Sequence, residues 1–316
     1  MGRSRFCIKP ADPNQLQNWP SDKADYLPLL SIDRLLIAVS AFITSIAPIS
    51  VDTSVQPPAG TTTEASSGES IVVTDPNANV NDPVEVVAPS TGVVNIAAGT
   101  EGADIIVVGD GDAVVEISNA VDANGNPLAG SGSTFQIDEN YQGSVVANLE
   151  GAITDGSKVD TSTETFSGNT IADAAPSNAT DEFDFYVNTG AADDEIGGSQ
   201  GSDFIRAGAG DDVVNAGAGN DIVRLGSGDD LATLGEGDDV AYFTIDQLQG
   251  DQLKVITDFD VSGDDKIQLD GDLEGLVDID GLGTNSITIN LSGDQSGSTT
   301  IVSEGEVIDD DDVEFV

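Results

Sequence analysis

The chain has 316 residues, enough for one large domain or two ordinary ones with linkers, and 10 Lys+Arg against 57 Asp+Glu leave a net charge of −47. The absence of histidine excludes a Ser/His/Asp triad, a His-ligated zinc and a histidine general base, and the single Cys7 excludes an intramolecular disulfide, a Cys-rich zinc site and a single-chain iron–sulfur centre. The charge repels nucleic acid and anionic lipid, so cations are the expected partners, and 36 Gly with only 5% aromatics favours a turn-rich β protein.

Residues 1–50 form an N-terminal extension of net charge +1, with Arg3, Arg5, Lys9, Lys23 and Arg34 against Asp12, Asp22, Asp25 and Asp33. The rest of the chain therefore carries −48. Leu35 to Ile49 is an apolar run of 15 residues, shorter than the roughly 20 that span a bilayer. It reads either as a secretory signal or anchor, or as a short buried helix or disordered extension. Residues 51–92 are rich in Thr, Ser, Pro and Gly, the composition of a linker. From Val93 to 188, short Val/Ile/Phe runs alternate with Gly, Asn and Asp, which predicts strands joined by tight turns.

Between Thr189 and Tyr242 the chain repeats every nine residues: TGAADDEIG, GSQGSDFIR, AGAGDDVVN, AGAGNDIVR, LGSGDDLAT, LGEGDDVAY. The sixth position is Asp194, Asp203, Asp212, Asp221, Asp230 and Asp239. The fourth is Gly201, Gly210, Gly219, Gly228 and Gly237, failing only at Ala192; the second is glycine except at Ser199, and the eighth is aliphatic throughout. Alternating glycines let the backbone take positive φ and turn its carbonyls inward, while the Asp adds a carboxylate. Oxygen donors without nitrogen or sulfur select a hard cation.

A turn and a short strand in nine residues make half of a flattened coil. A full coil then takes 18 residues, so Asp194 neighbours Asp212, Asp203 neighbours Asp221, Asp212 neighbours Asp230 and Asp221 neighbours Asp239. Coils stack about 4.8 Å apart, which lets each pair share one ion. Two carboxylates about 5 Å apart repel by roughly 3 kcal/mol at an effective dielectric of 20. Folding is therefore expected to require a divalent cation. Positions eight and one share the inward face, whereas position seven (Phe204, Val213, Ile222, Leu231, Val240) points outward. That outward face is either a docking surface for another segment or a product of β propensity.

These residues resemble the RTX, or hemolysin-type, calcium-binding repeat GGxGxDxUx. Position one departs from the pattern, being Thr, Ala or Leu in five of the six copies. The resemblance implies an all-β fold, a parallel β-roll with a C-terminal β cap, preceded by the β-rich segment and a linker or disordered N-terminal region. It also implies several Ca2+ ions as cofactors, with the six Asp and five Gly of positions six and four as their ligands. Gly99 to Val107, with Asp104, is similar to one more copy and reads as a degenerate half-site or an ordinary hairpin.

Residues 243–316 are expected to cap the roll. Val255 to Gly271 resembles the segment after the repeats in serralysin-type secreted proteins, which precedes an uncleaved C-terminal signal for a type I (ABC) exporter. The chain ends Asp309-Asp310-Asp311-Asp312-Val313-Glu314-Phe315-Val316, which reads as such a signal or as an acidic solvated tail. Tested as an EF-hand, Asp258, Asp260, Ser262 and Gly263 fit the first half of the loop, but Leu269 stands where the bidentate Glu is needed. Asp258, Asp260, Asp264 and Asp265 then form either a terminal ion site or a surface turn.

The expected function is that of a secreted, non-enzymatic calcium-binding protein, extracellular or at the cell surface. The zinc motif of the serralysins cannot exist without histidine, and 93–188 offers little aromatic surface for a sugar cleft. Calcium and an exporter are the expected partners, with no nucleic acid and no membrane. The alternative is a cell-surface structural or adhesive protein that uses the roll as a stalk or export module.

Overall fold

The computed structural model describes residues 46–316, apart from 80, 139–140, 155, 160, 162–164, 167–168, 171–173, 180–181, 262 and 293–296. The extension and the first part of its apolar run, 35–45, lie outside the described residues. The end of that run does not: Ile49–Ser50 is a short strand parallel to Ala120–Val121.

Two long sheets hold the fold, and the chain alternates between them. In spatial order the first contains Glu69–Val73, Val93–Ala98, Val114–Ser118, Val145–Asn148, Glu195–Gly197, Val213–Asn215, Asp230–Thr233 and Gly250–Ile256, all parallel. The second contains Thr62–Glu64, Val84–Val87, Asp104–Val108, Ser133–Ile137, Phe185–Asn188, Asp203–Arg206, Ile222–Arg224, Val240–Phe243, Lys266–Leu269 and Val313–Phe315, again all parallel. Each coil of the chain adds one strand to each sheet, which is a parallel β-roll. The strands are short, three to seven residues in most coils, because glycine-rich turns interrupt them.

The nine-residue period sets the register across the repeats. Ile196 lies beside Val214 and Val214 beside Ala232, as do Ile205, Val223 and Ala241 on the other sheet. These side chains, with Ala207, Ala216, Leu225, Leu234 and Phe243 from position one, line the space between the sheets and are buried. The predicted inward face is therefore the core, and its narrow residues set a thin interior in which the sheets face each other across single side chains.

The outward face is a docking surface on one sheet. Phe204, Ile222 and Val240, all at position seven, pack with Val159, Phe183, Tyr186 and Tyr242, and with Ala174, Ala175 and Ala179, which come from the long excursion between Asn148 and Phe185. Phe204 sits 5.2 Å from the Tyr186 ring and 5.6 Å from that of Phe183. Arg224 fastens the excursion by donating from Nη1 to the carbonyl of Ala174 at 2.9 Å, with its guanidinium 5.5 Å from the Tyr242 ring centre.

Two boundaries differ from the sequence reading. Within 51–92, assigned as linker, Thr62–Glu64, Glu69–Val73 and Val84–Val87 are strands of the two sheets, with Ile71, Val84 and Val86 in the core. Thr62 and Glu64 are exposed, and Glu69, Ser70 and Glu85 are only partly buried. Residues 93–188 belong to the same stack as the repeats, not to a separate unit: Val145–Asn148 pairs with Glu195–Gly197, and Phe185–Asn188 with Asp203–Arg206.

At the C-terminal end, Gly297–Ser303 continues the first sheet in parallel, then Ser286–Leu291 and Val277–Asp280 add antiparallel strands. This is the expected β cap. The acidic terminus is not wholly a solvated tail, since Val313–Phe315 forms the last strand of the second sheet.

Phe204 anchors the excursion to the roll, so Phe204→Ala is expected to cost about 3–5 kcal/mol in denaturant unfolding at saturating divalent cation. Limited proteolysis should then cleave first within 150–182.

Candidate metal centre

Successive repeats place their turns on opposite edges of the roll. Turns 189–194, 207–212 and 225–230 lie on one edge, and turns 198–203, 216–221 and 234–239 on the other. The sixth-position carboxylates form a column along each edge. The backbone N–H of Asp194 donates to Oδ1 of Asp212 at 2.9 Å, and that of Asp212 to Asp230 at 2.9 Å. On the opposite edge Asp203 donates to Asp221 at 2.7 Å and Asp221 to Asp239 at 2.8 Å. The pairs expected from the 18-residue spacing are thus neighbours, joined through one oxygen of each carboxylate.

The second oxygen distinguishes the turns. Oδ2 of Asp194, Asp212, Asp221 and Asp239 is buried and has no hydrogen-bond partner. A buried carboxylate oxygen without a donor is costly and calls for a cation. Asp203 is different, because both its oxygens accept from Ser199, from the N–H at 2.6 Å and from Oγ at 3.0 Å. Asp230 is different as well: its Oδ2 accepts from Lys254 Nζ at 2.5 Å. Asp194 ends its column against the N–H of Val145, which donates to its Oδ1 at 2.6 Å.

Backbone carbonyls complete the donor set. Among the described residues no three acidic side chains converge on a point, so one carboxylate per turn must act with main-chain oxygens. Lys254 marks which ones, since its Nζ also reaches the carbonyls of Gly226 and Gly228, each at 2.8 Å. These are positions two and four of the turn. Gly226 and Gly228 have φ of 88° and 129°, a conformation that L side chains rarely adopt and that turns both carbonyls toward the carboxylate. A Cβ on Gly228 would also lie 2.0 Å from the carbonyl oxygen of Gly210 on the preceding coil. The corresponding atoms of Gly208, Gly210 and Asp212, of Gly217, Gly219 and Asp221, and of Gly235, Gly237 and Asp239 would hold a hard cation. Gly201 belongs to the turn that Ser199 satisfies, and its φ is not positive.

Asp104 is not part of either column. The residue in register with it on the next coil is Thr134, and Asp104 Oδ1 accepts from the side chains of Thr134 and Gln136. With no carboxylate on the adjacent coil, the half-site reading does not hold. Three of the four acids read as a terminal ion site or a surface turn are hydrogen-bonded to backbone N–H groups. Asp258 accepts the N–H groups of Leu234 and Gly235 at 2.8 and 2.9 Å, and Asp260 and Asp265 bond each other's N–H groups. Ser262 lies outside the described residues.

Two features escaped the sequence reading. Asp265 is a further rung, accepting from the Asp239 N–H at 3.1 Å. Its signal was present: Gly263, Asp265 and Ile267 have the spacing of positions four, six and eight. Position five forms a second column of opposite sense on each edge: Asp193 and Asp211 on one, and Asn220 and Asp238 on the other, accept from the N–H of residues 211, 229, 238 and 264 on the following coil. Its signal was a run of short acceptors, Asp, Ser, Asp, Asn, Asp and Asp.

Burial acts on the sixth-position carboxylates and Asp265 in one direction. Desolvation pushes Asp212 up to about 9, with Asp230 and Asp194 adding repulsion, and it raises Asp194 to about 8, Asp239 to about 7 and Asp265 to about 6. It also raises Asp221, and Asp230 in spite of the opposing charge of Lys254. Such groups bind more protons folded than unfolded. Their stabilisation is therefore complete below the usual value of 3.8 and is lost as the pH climbs through about 6 to 9. In chelator the chain is expected to hold more β structure by circular dichroism at pH 5 than at pH 8, and calcium binding at pH 7 should release protons measurable by calorimetry in buffers of different ionisation enthalpy.

The family model of the RTX calcium-binding nonapeptide repeat (4 copies) matches residues 188–223, 197–232 and 219–242. Among solved structures, the chain is similar to the AlgE6R3 subunit of the Azotobacter vinelandii mannuronan C5-epimerase, determined in solution. The identity is 24%, over 39% of this chain and 78% of that one, with a TM-score of 0.30. No curated protein matches. Residues 188–242 are RTX calcium-binding nonapeptide repeats, and the likeness is to that stretch of the chain.

Proposed function

We propose that this is an extracellular, non-enzymatic protein whose acidic coils fold when they meet calcium outside the cell. The observation that carries this reading is the unpartnered Oδ2 of Asp212, Asp221 and Asp239, each buried in a turn whose carbonyls come from glycines. Without a cation these columns hold like charges in register and oppose folding. The chain then remains extended, the form that an ABC exporter threads. Where calcium is at millimolar level, sites of the extracellular affinity class, about 10⁻⁴ to 10⁻³ M, fill. Each site occupied at ten times its dissociation constant adds about 1.4 kcal/mol, enough for a few sites to decide the state of a marginally stable domain.

The strand Val313–Phe315 and the antiparallel cap close the open end and stand next to the acidic terminus assigned to the exporter. Extracellular location accords with RTX repeats being typical of extracellular proteins. Among the described residues no helix is long and apolar enough to cross a membrane. A non-enzymatic role is supported by the burial of Tyr141 and Tyr186, each 0% exposed, which leaves neither ring free to line a sugar cleft. A second reading, a structural or adhesive protein of the cell surface, is favoured by the continuation of the coils N-terminal to the calcium repeats as far as Thr62.

A calcium titration of the full chain, followed by far-ultraviolet circular dichroism, should show a cooperative gain of β structure near millimolar calcium and none with magnesium. A flat response would end the proposal. Asp221→Asn is expected to raise the calcium midpoint about tenfold, equivalent to about 1.4 kcal/mol. Fractionation of producing cells in calcium separates the two readings: free protein in the medium supports the first, detergent-resistant attachment the second.

A further inference from the structure

Only five Lys and Arg accompany the acidic residues of 51–316, and one of them, Lys254, is 0% exposed. Its place in the fold is specific. Lys254 is in register with Asp230 across the first sheet, as Asp230 is the rung after Asp212. Where the column 194, 212, 230 would continue with a fourth carboxylate, the chain has an ammonium. The residues after it keep the pattern of the repeat, with Val255 beside Leu231 and Ile256 beside Ala232. On the opposite edge the column does continue with an acid, Asp265.

The side chain of Lys254 turns back into the preceding turn. Its Nζ meets three oxygens, the carbonyls of Gly226 and Gly228 and Oδ2 of Asp230. All three donors of an ammonium are therefore used on oxygens, with none left for solvent. These are the same positions, two, four and six, whose oxygens stand ready for a metal in the turns ending at Asp212, Asp221 and Asp239. A lysine is also the side chain suited to the place: a compact point charge on a flexible stem.

We propose that Lys254 is a tethered cation that closes turn 225–230 in place of calcium. The turn is thereby removed from the calcium-binding set, and metal on this edge stops at the turn before it. Asp230 is then neutralised whether or not calcium is present, so the last turn of this edge does not depend on the metal, whereas turn 234–239 on the opposite edge, with Asp239 Oδ2 unpartnered, does. The proposal rests on the calcium reading of the other turns, and its test separates the two.

The test counts calcium ions bound to the full chain at saturation, by native mass spectrometry. Lys254→Ala is expected to bind one ion more than the wild type, and the double variant Lys254→Ala, Asp230→Asn to lose that extra ion. An unchanged or smaller number in folded Lys254→Ala, with calcium bound by the wild type, overturns the role of Lys254 alone. A wild type that binds no calcium overturns the calcium reading itself and the substitution with it. Should Lys254→Ala fail to fold, acetylation of the calcium-loaded wild type decides. Lys254 should stay unmodified while Lys158, whose side chain is 39% exposed, reacts; modification of Lys254 to the same extent would show that calcium displaces it, against the proposal.

Discussion

Everything in this fold depends on stacking carboxylates at intervals of one coil along a buried edge. A parallel coil has no freedom to stagger them, because its backbone hydrogen bonds set each residue beside its equivalent 18 positions on. One oxygen of each Asp is used to tie its coil to the preceding one. The other is left facing the carbonyls of its own turn, and what occupies that space decides whether the coil is stable. Three solutions occur along the repeats: a hydroxyl and N–H from Ser199, an ammonium from Lys254, and, in the other turns, oxygen cages that suit calcium.

The core gives little help. Between the sheets of the repeats lie Val, Ile, Ala and Leu, with Phe243 at the end of the row, buried and mostly small, so the apolar area per coil is modest. The coils gain further stabilisation from outside. Arg224 and the ring cluster around Phe204 bind the excursion after Asn148 to the second sheet, which gives the turn-rich repeats an apolar covering on one face. The two column senses, sixth-position acceptors facing back and fifth-position acceptors facing forward, satisfy N–H groups that the turns would otherwise leave bare.

The ends of the stack are treated differently from its middle. A repeated coil always ends with one unpaired face, and an open sheet edge invites aggregation. Here the C-terminal edge is covered by antiparallel strands and by Val313–Phe315, while the metal column on one edge ends in a lysine and on the other in Asp265. Charge and shape are therefore closed off at the same place in the chain.

The repeats were legible because their period is short, ungapped and tied to chemistry: glycine where the backbone must turn, Asp where a ligand is needed, an aliphatic residue where the core lies. From these alone follow the coil length, the neighbouring Asp pairs, the inward face and the hard cation. The coils before Thr189 obey the same physics but were not legible, since loops of unequal length separate their strands: Val115 pairs with Val145, 30 residues on, and Ala147 with Ile196, 49 residues on. A variable coil length erases the period while leaving the hydrogen bonding intact. Asp104 has the local pattern of a ligand, but the residue that faces it on the next coil is Thr134 and not a carboxylate. Lys254 is the converse case. Nothing near it in sequence marks it, and only the register of the first sheet brings its charge to the carbonyls of Gly226 and Gly228. A ligand's type is set locally, but its partners come from the next coil, and that distance along the chain only the tertiary structure decides.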